Sequence, residues 1–388
     1  MTRIYLIRHA EAEGNLYRIA QGQDNSSLTD RGWRQVRALE QRFTGVPIDQ
    51  VYSSDLYRAC ATAGAICKPR GMQLHRVPEL REICVGVWEQ KTWGEIYRRW
   101  PEQMHWFSHQ PHLWQVEGAE TPGQVLERVL KALRKIAAEN DGKTVAVFSH
   151  GYAIRLVLAR LQGYTLEQTG GTPTGDNTAV SLLEANGGEL RVLFRDDNSH
   201  LKTEAFLAQE KVMKRANGLE PGLWFQALEL PGQEDFFVKL VEDGWQGRTS
   251  FDRKRLLADA RERTTLVGYR QEEPVGVIQL GPERGWISLI CMREDCRKRG
   301  LGTQMLGQAV QKTRFRGESP FGYPCRRTAM RGAFLTVTGL RWPKRRTAAL
   351  SWKRRSILTR NFCKRADDGP KNRAGADLTC SGPVHIIQ

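Results

Sequence analysis

Apolar and polar positions follow two different periods along the first two hundred residues. Short strand-like runs such as 3–7 and 144–148 alternate with longer stretches in which apolar residues recur every three or four positions, as in helices. The predicted strands lie near 3–8, 49–52, 74–77, 144–149, 179–184 and 190–195. The predicted helices lie near 31–43, 55–68, 92–99, 121–139 and 151–161. This alternation predicts a three-layer α/β domain with a mixed, mostly parallel sheet.

A second set of elements follows a polar connecting segment at 198–218, in which residues 205–209 are predicted to form a short docking helix. Strands are predicted at 224–228, 264–268, 274–280 and 286–291, and the middle two form a hairpin. Helices are predicted at 234–243, 251–263 and 301–311. A chain of 388 residues exceeds the usual size of one compact core, so at least two domains are expected.

Polar side chains follow the ends of two predicted strands in the first domain. Arg8-His9-Ala10-Glu11 comes directly after the first strand, and Ser149-His150-Gly151 ends the strand near 144–149. Ligands of open α/β sheets bind at the carboxyl ends of the strands, so an arginine beside a histidine there indicates an anion pocket with a nucleophile. Two further motifs lie between these along the chain, namely Ser53-Ser54-Asp55-Leu56-Tyr57-Arg58-Ala59 and Leu80-Arg81-Glu82. A third, Asn177-Thr178-Ala179-Val180, follows them.

With these motifs in this order, residues 1–205 resemble the histidine phosphatase superfamily, also called the phosphoglycerate mutase-like family. The resemblance implies a histidine acid phosphatase-type phosphomonoesterase that acts through a phosphohistidine. It implies that His9 is the nucleophile, that Glu82 transfers protons, and that three cationic or polar side chains clamp the phosphate. The expected clamp consists of Arg8, Arg58 and His150.

The chemistry of phosphoryl transfer explains these residue types. A neutral imidazole is a good nucleophile toward phosphorus and a good leaving group from the phosphoenzyme. Catalysis then depends on positioning and on electrostatic stabilisation of charge spread over three oxygens, and arginine donates two hydrogen bonds to one phosphate while staying protonated. Glu79, Glu82 and Glu89 share one acidic segment, and only the family resemblance selects Glu82.

Other polar residues have weaker assignments. The resemblance places Asn15, Gln21 and Ser149 at the substrate, although ordinary loop polar groups are an open alternative for the first two. Glu11 is expected beside the pocket. No metal site is predicted: two of the residues His105, His109 and His112 are one helical turn apart, but Pro111 interrupts the helix and no cysteine or aspartate joins them.

The segment between Glu82 and Thr144 bears on the choice between hydrolysis and phosphoryl shuttling. Mutases of the family carry added segments that exclude water, whereas this stretch is of modest length, which favours a phosphatase with no cofactor. The stretch is also rich in aromatic residues, which fits either a lid over the organic part of a substrate or a plain helical core. The aromatic residues are Trp93, Tyr97, Trp100, Trp106, Phe107 and Trp114.

The second domain resembles the GNAT acetyltransferase superfamily. A strand at 286–291 leads into Arg297-Lys298-Arg299-Gly300-Leu301-Gly302-Thr303 and a helix, as in the acetyl-CoA loop of that family. Glycines let backbone N–H groups approach a pyrophosphate, and the helix presents its positive end. The resemblance therefore implies that acetyl-CoA binds at Arg297, Arg299, Gly300, Gly302 and Thr303, and that an amine is the acceptor. A solvated basic turn is the alternative for the charged side chains.

The GNAT resemblance stops near Lys312, and the expected asparagine and tyrosine signature does not follow. Three readings of the tail stay open: a basic nucleic-acid arm, a divergent acceptor-binding segment, or an out-of-frame or otherwise damaged GNAT C-terminus. We favour the last, because local propensity, pattern and charge fail together there. Reading the coding DNA in another frame near codons 312–316 is then expected to restore the signature; an intact single frame in the source gene would contradict it.

Charge and composition indicate which binding partners and which cellular compartment to expect. The formal net charge is +16, but residues 314–388 hold 17 lysines and arginines against 4 acidic residues, which leaves about +3 for residues 1–313. The charge is therefore a property of the tail, and nucleic acid is not an expected partner. No apolar leader or membrane-length run is present, and the eight cysteines lack Cys-x-x-Cys spacing. We expect a soluble, cytoplasmic protein with free thiols and no membrane contact.

These observations divide the chain into four parts. Residues 1–205 form the histidine phosphatase domain, 206–222 a linker, 223–313 a partial GNAT-like α+β domain that is truncated or frame-disrupted, and 314–388 a basic, atypical tail that we expect to be poorly ordered. The predicted function is hydrolysis of a small phosphorylated substrate, with acyl-CoA N-acyltransferase activity as a possible second activity. The alternatives are a phosphoglycerate mutase and an acetyltransferase or binding protein whose first domain only senses phosphate.

Overall fold

The structure is a computed structural model that describes residues 1–210, 222–245, 251–282 and 286–313, together with the backbone of 385–386. In the first domain the strands are β1 (Thr2–Arg8), β2 (Gln50–Ser53), β3 (Leu74–Arg76), β4 (Thr144–Ser149), β5 (Val180–Asn186) and β6 (Glu189–Asp197). The helices are α1 (Glu13–Tyr17), α2 (Asp30–Phe43), α3 (Tyr57–Arg70), α4 (Trp93–Arg99), α5 (Pro101–His109), α6 (Pro122–Glu139), α7 (Gly151–Leu161) and α8 (Glu204–Glu210).

The first sheet has the strand order β3-β2-β4-β1-β5-β6. The strands from β3 to β1 run parallel, and β5 and β6 are antiparallel to their neighbours. The prediction of a mixed, mostly parallel sheet is confirmed. Helices cover both faces, which is why the central strands are apolar at successive positions. Ile4 and Leu6 of β1 pack in one core with α6 and α7, whereas Ile7 packs in a second core with α2 and α3.

Adjacency of β1 and β4 creates the site. The two strands pair in parallel with Arg8 opposite Ser149, so the chain leaves both strands at the same edge of the sheet. The backbone N–H of His9 donates to the carbonyl of Ser149 at 3.0 Å. On the other side of β4, the N–H of Ser54 donates to the carbonyl of Phe148 at 2.9 Å. Three loops that carry polar side chains therefore meet at one edge.

The second domain is built on its own sheet. Its elements are β7 (Leu223–Ala227), α9 (Glu234–Trp245), α10 (Arg253–Glu262), β8 (Thr265–Arg270), β9 (Glu273–Leu280), β10 (Ile287–Met292), α11 (Leu301–Thr313) and β11 (His385–Ile386). The strand order is β11-β10-β9-β8-β7; neighbours from β7 to β10 are antiparallel and β11 is parallel to β10. Helix α11 packs on one face and α9 and α10 on the other. The predicted tail lies outside the described residues, except for the backbone of β11.

Among the described residues, helices α11 and α4 make the main contacts between the domains. Helix α11 packs on α1, and a Cβ added at Gly307 would lie 2.5 Å from Cβ of Tyr17. Helix α4 packs on β7, where Arg98 lies 4.1 Å from the ring centroid of Trp224 and donates to Glu272 at 2.9 Å. Helix α1 belongs to the loop that follows His9, so the second domain contacts the first next to that loop.

Among the described residues, no helix is both long and apolar enough to cross a bilayer. The cysteines in this part of the chain carry free thiols, which fits the sequence prediction for those positions. They are Cys60, Cys67, Cys84, Cys291 and Cys296.

Candidate active site

His9 directly follows β1, at the edge of the first sheet where the three loops meet, and its side chain is only 3% exposed. Its Nδ1 is 2.7 Å from the carbonyl oxygen of Ala10, and a carbonyl can only accept a hydrogen bond, so Nδ1 carries the proton. Burial and the nearby cations of Arg58 and Arg8 hold the pKa of His9 well below its usual range. The ring is therefore neutral near pH 7, and Nε2 has the free lone pair that a nucleophile needs.

The ring of His150 lies beside that of His9, with 5.1 Å between the centroids. Its Nε2 is 2.8 Å from the hydroxyl oxygen of Ser54, which also accepts the N–H of Leu56. Among the hydrogen bonds of the described residues, Nε2 of His150 is the only acceptor for the hydroxyl proton of Ser54, so the proton of the neutral ring is placed on Nδ1. Burial and Arg58 lower the pKa of His150, and Nδ1 has no hydrogen-bond partner among the described residues. This N–H is a donor for an anion.

Two buried guanidinium groups complete the cationic wall. Arg58 is 1% exposed, and its terminal nitrogens donate to the carbonyls of Gly22 and Asp24, both at 2.7 Å. Arg8 donates to the carbonyl of Gly175. Burial lowers the pKa of Arg58 to about 10, so it remains protonated at neutral pH. Within the described part of the chain, Nε of each arginine is buried without a hydrogen-bond partner, which suits a site for an anion.

Gly151 explains how Arg8 reaches the pocket. A Cβ added at Gly151 would lie 2.9 Å from both Cζ and Nε of Arg8, closer than real Cβ atoms approach other heavy atoms. Gly151 is the first residue of α7, directly after His150. The Ser-His-Gly motif therefore combines one ligand of the site with the space that another ligand occupies.

The carboxylate of Glu82 lies at the N-terminus of α7. It accepts the backbone N–H groups of Tyr152 at 3.1 Å and Ala153 at 3.0 Å, as well as that of Ile83 at 3.1 Å. Unpaired N–H groups and the helix dipole both favour a negative charge at this position. The charge of Glu82 also raises the pKa of Arg8 and Arg58 against the effect of burial. The carboxylate therefore lies beside the two guanidinium groups.

The other predicted side chains lie around this group and make local contacts. Oδ1 of Asn15 accepts the N–H of Ala12 at 3.0 Å, and Gln21 accepts the hydroxyl of Ser26. The hydroxyl of Ser149 donates to the carbonyl of Leu80 at 2.8 Å, which ties β4 to the segment that carries Glu82. Glu11 accepts the hydroxyl of Thr29 at 2.6 Å, at the start of α2. Substrate contacts of Asn15, Gln21 and Ser149 stay predictions.

The aromatic residues between Glu82 and Thr144 mainly pack in a hydrophobic core, and one of them contacts a residue of the site. Trp88 and Trp114 are fully buried and pack edge to face, with 5.5 Å between their centroids. Phe107 of α5 packs on Trp114 and stacks on Tyr152 at 4.6 Å, directly beside the N–H groups that bind Glu82. Nearby, the rings of the two α5 histidines stack on each other, and the described residues contain no group of metal-binding side chains there.

In the second domain, the predicted acetyl-CoA loop precedes α11. Gly300 has a φ of 80°, and a Cβ added at Gly302 would point into open space, so the backbone is accessible to a pyrophosphate. Cofactor contacts of these glycines and of Thr303 stay predictions. The Arg297 guanidinium instead donates to the carbonyls of Met292, at 3.0 Å, and Gly244, so the structure uses it to hold the loop. Arg299 is exposed.

Sequence reasoning missed several partners in the first site. Ser54 and Asn177 lay in motifs that were recognised, but neither was given a role; Asn177 donates to the carbonyl of His9 at 3.0 Å. The carbonyls of Gly22, Asp24 and Gly175 hold the two arginines. Every residue has a carbonyl, so no sequence signal distinguishes these three.

Comparison with known sequence families gives two matches. Residues 4–198 match the profile of the histidine phosphatase superfamily (branch 1). Residues 229–320 match that of the acetyltransferase (GNAT) family. Both resemblances inferred from the motifs are thereby confirmed, and the chain is a phosphatase-family domain fused to a GNAT-like domain.

Individual relatives match the first domain. Phosphoserine phosphatase 1 of Hydrogenobacter thermophilus is 29% identical over 168 residues, or 43% of this chain and 80% of that protein. The metal-independent phosphoserine phosphatase of Arabidopsis thaliana is 32% identical over 211 residues, with 53% and 86% covered. A probable phosphoglycerate mutase GpmB of Serratia proteamaculans is 31% identical over 166 residues, with 42% and 76% covered. The solved structure of Bacillus stearothermophilus YhfR is 31% identical, has a TM-score of 0.51 and covers 52% of this chain and 100% of its own.

Proposed function

Because the chain belongs to the histidine phosphatase superfamily, we propose that its first domain hydrolyses small phosphomonoesters through a phosphohistidine formed on Nε2 of His9. One observation carries the proposal. The hydrogen bond from Nδ1 to the carbonyl of Ala10 leaves the lone pair on Nε2, in a neutral ring surrounded by Arg8, Arg58 and His150. Phosphorus is electrophilic and its oxygens are anionic, so this arrangement matches both parts of the group.

In the first step, Nε2 of His9 attacks phosphorus as the bond to the ester oxygen breaks. Arg8, Arg58 and Nδ1 of His150 donate to the three phosphoryl oxygens, where charge is spread in the transition state. The new P–N bond places a positive charge on the imidazole, and the Ala10 carbonyl stabilises it by accepting from Nδ1. Binding energy is thus used where charge develops.

Glu82 is the proposed proton carrier. Glu82 acts first in its protonated form, because an alkoxide leaves readily only when its oxygen receives a proton. The acid then gives its proton to the departing alkoxide, and the carboxylate later takes a proton from the water that attacks the phosphohistidine. The cycle consumes one ester and one water and returns one alcohol and one inorganic phosphate, with His9 and Glu82 restored.

The relatives support alkyl phosphates as the substrate class. Two are named phosphoserine phosphatases, and phosphoserine has an alkoxide leaving group that requires protonation. A mutase is the second candidate, because a relative of 31% identity is named a probable phosphoglycerate mutase. Incubation with 3-phosphoglycerate separates the two: a phosphatase releases inorganic phosphate, whereas a mutase yields the isomer without phosphate release.

The decisive test is His9→Ala with His75→Ala as its control. His75 lies on β3, where its Nε2 is 2.9 Å from Oε1 of Gln50 on β2 and makes no contact with the site, so we expect its loss to leave the pocket unchanged. We expect His9→Ala to abolish hydrolysis of p-nitrophenyl phosphate and of phosphoserine, and rapid quench of the wild type to trap an acid-labile phosphoenzyme. Full turnover by a folded His9→Ala protein would exclude the mechanism and favour a phosphate-sensing role.

We also propose that the loop at Gly300, Gly302 and Thr303 binds acetyl-CoA for acyl transfer to an amine acceptor. The positive φ of Gly300 and the open space at Gly302 support this, together with the GNAT profile match. Isothermal titration with acetyl-CoA tests binding directly. Absence of heat at millimolar cofactor at two well-separated temperatures would rule the site out.

A further inference from the structure

The segment that carries Glu82 has no regular secondary structure of its own. After a short 3-10 turn at Pro78–Leu80 it runs through Arg81 and Glu82 as an irregular loop. Backbone carbonyls in such a loop need partners from elsewhere in the fold. The orientation of the Glu82 carboxylate therefore depends on how this loop is held.

One side chain from α6 supplies most of the partners. Nη1 of Arg128 donates to the carbonyls of Glu79 and Arg81, both at 2.8 Å, and Nη2 donates to the carbonyl of Glu82 at 2.9 Å. A planar guanidinium has five N–H donors in a fixed geometry, which makes arginine uniquely able to bind several carbonyls at once. Arg128 thus binds three carbonyls of the segment from Glu79 to Glu82.

Glu120 fixes the guanidinium in turn. Its two oxygens accept Nε and Nη2 of Arg128 at 2.7 and 2.8 Å, a bidentate pair. Oε2 also accepts the N–H of Cys84 at 2.9 Å, and Gln23 donates both to that oxygen and to the carbonyl of Glu82. The loop is therefore held on both sides of Glu82 by a single network that touches no reacting atom.

We propose that Arg128 and Glu120 are positioning residues for Glu82 and thereby determine how well the enzyme protonates its leaving group. This rests on the role proposed above for Glu82. The hydrogen bonds of Arg128 and Glu120 go to the loop, to each other and to Gln23. Loss of this network is therefore expected to displace the carboxyl group of Glu82 from the ester oxygen and to leave His9 and the phosphate clamp in place. Substrates whose leaving group needs no proton then still phosphorylate His9 at the normal rate. Substrates whose leaving group needs a proton phosphorylate His9 more slowly.

Leaving-group dependence provides the test. The ratio kcat/KM reports the steps up to phosphorylation of His9, and nitrophenolate leaves with little need for a proton, whereas the alkoxide of phosphoserine needs one. We expect Arg128→Met and Glu120→Gln to reduce kcat/KM for phosphoserine about tenfold or more beyond any reduction for p-nitrophenyl phosphate, within the range of general acid catalysis. Arg128→Lys keeps the charge and one donor group, so we expect an intermediate effect.

The control is Arg42→Lys. Like Arg128, Arg42 donates to a carboxylate and to a backbone carbonyl, in this case both of Asp197, but it lies outside the site. We expect neither substrate to be affected there. Circular dichroism and thermal melting check the fold of each variant, and Glu120→Gln keeps the test available if Arg128→Met does not fold. Equal losses for both substrates in the folded variants would overturn the inference, because a general loss of packing acts on both alike.

Glu82→Gln separates this inference from the proposed function. A selective loss for phosphoserine in Glu82→Gln but not in Arg128→Met or Glu120→Gln would defeat the positioning role alone. A loss without selectivity in Glu82→Gln would defeat the acid role, and the positioning role with it. If both hold, the double variant Glu82→Gln/Arg128→Met loses no more selectivity than Glu82→Gln, since the two residues act through one proton transfer.

Discussion

Nε2 of His150 lies 2.8 Å from the hydroxyl of Ser54, and this contact orients the imidazole and assigns its proton to Nδ1. We expect Ser54→Ala to reduce kcat/KM for p-nitrophenyl phosphate about 2- to 10-fold, because a neutral hydrogen bond contributes about 0.5–1.5 kcal/mol. Steady-state kinetics measures the effect. Ser53→Ala is the control, since that neighbouring hydroxyl donates to the Ser54 carbonyl and not to His150. A larger effect at Ser53 than at Ser54 would contradict the tautomer argument.

Arg58 binds the first loop and the proposed phosphate with the same planar group. We expect Arg58→Lys to reduce kcat/KM about 10- to 100-fold, because a single ammonium cannot reach both the Gly22 and Asp24 carbonyls, and hydrogen bonds of charged groups contribute about 1.5–3 kcal/mol each. The matched control on the same helix is Arg70→Lys. Arg70 also donates to two carbonyls, of Phe43 and Val46, but away from the site. Wild-type kinetics in Arg58→Lys would show that charge alone suffices.

The pKa of His9 is held well below its usual range by burial and by the cations of Arg58 and Arg8. A lowered pKa favours the neutral ring, so the C2 proton resonance of His9 should keep its neutral position until the pH is well below 6.5. In Arg58→Gln one of these cations is lost, and we expect the midpoint to move to higher pH. Titration by NMR, with His9→Ala to assign the signal, measures both. A midpoint that falls or stays constant would contradict the electrostatic account.

Gly151 leaves the space that the Arg8 guanidinium occupies. We expect Gly151→Ala to displace Arg8 and reduce kcat/KM about 10- to 100-fold, since small displacements of a positioned group have effects of this size. Gly64→Ala in α3 is the control: the atoms nearest to its Cβ would be those of the flexible end of Lys68, and we expect unchanged kinetics with stability about 0.5–1 kcal/mol higher. Unchanged kinetics in Gly151→Ala would mean that Arg8 has another route to the site.

Two glycines of α11 separate domain packing from cofactor binding. A Cβ at Gly307 would lie 2.5 Å from Tyr17, so we expect Gly307→Ala to cost about 1–3 kcal/mol of stability and to lower the melting temperature. A Cβ at Gly302 meets open space, so Gly302→Ala should melt like the wild type but bind acetyl-CoA more weakly in isothermal titration. The reverse pattern, with only Gly302→Ala destabilised, would refute the assignment of both positions.

The regular elements were largely predictable, and the exceptions have a physical cause. The expected strand near 144–149 is β4 (Thr144–Ser149), and the expected helix at 151–161 is α7 (Gly151–Leu161). Helix α5 was not predicted as an element. It has no fully buried residue, so its sequence shows no apolar period to detect. Helix α1 is only five residues long and lies in an otherwise irregular loop, where local pattern carries little information.

The sequence alone determined the two fold classes and the residue types of the site, because buried strands and the motifs at their ends are local properties of the chain. Tertiary structure decided which of the acidic residues Glu82 and Glu89 lies beside both arginines. The charge of Glu82 acts on Arg8 and Arg58, and its carboxylate reaches the start of α7, 71 positions from Ala153. The charge of Glu89 acts on Arg58, and its carboxylate accepts the N–H of Gln23. Tertiary structure also decided the tautomers of His9 and His150 and the network around Glu82. Such contacts join residues far apart in sequence through backbone groups that every residue has, so only the folded chain specifies them.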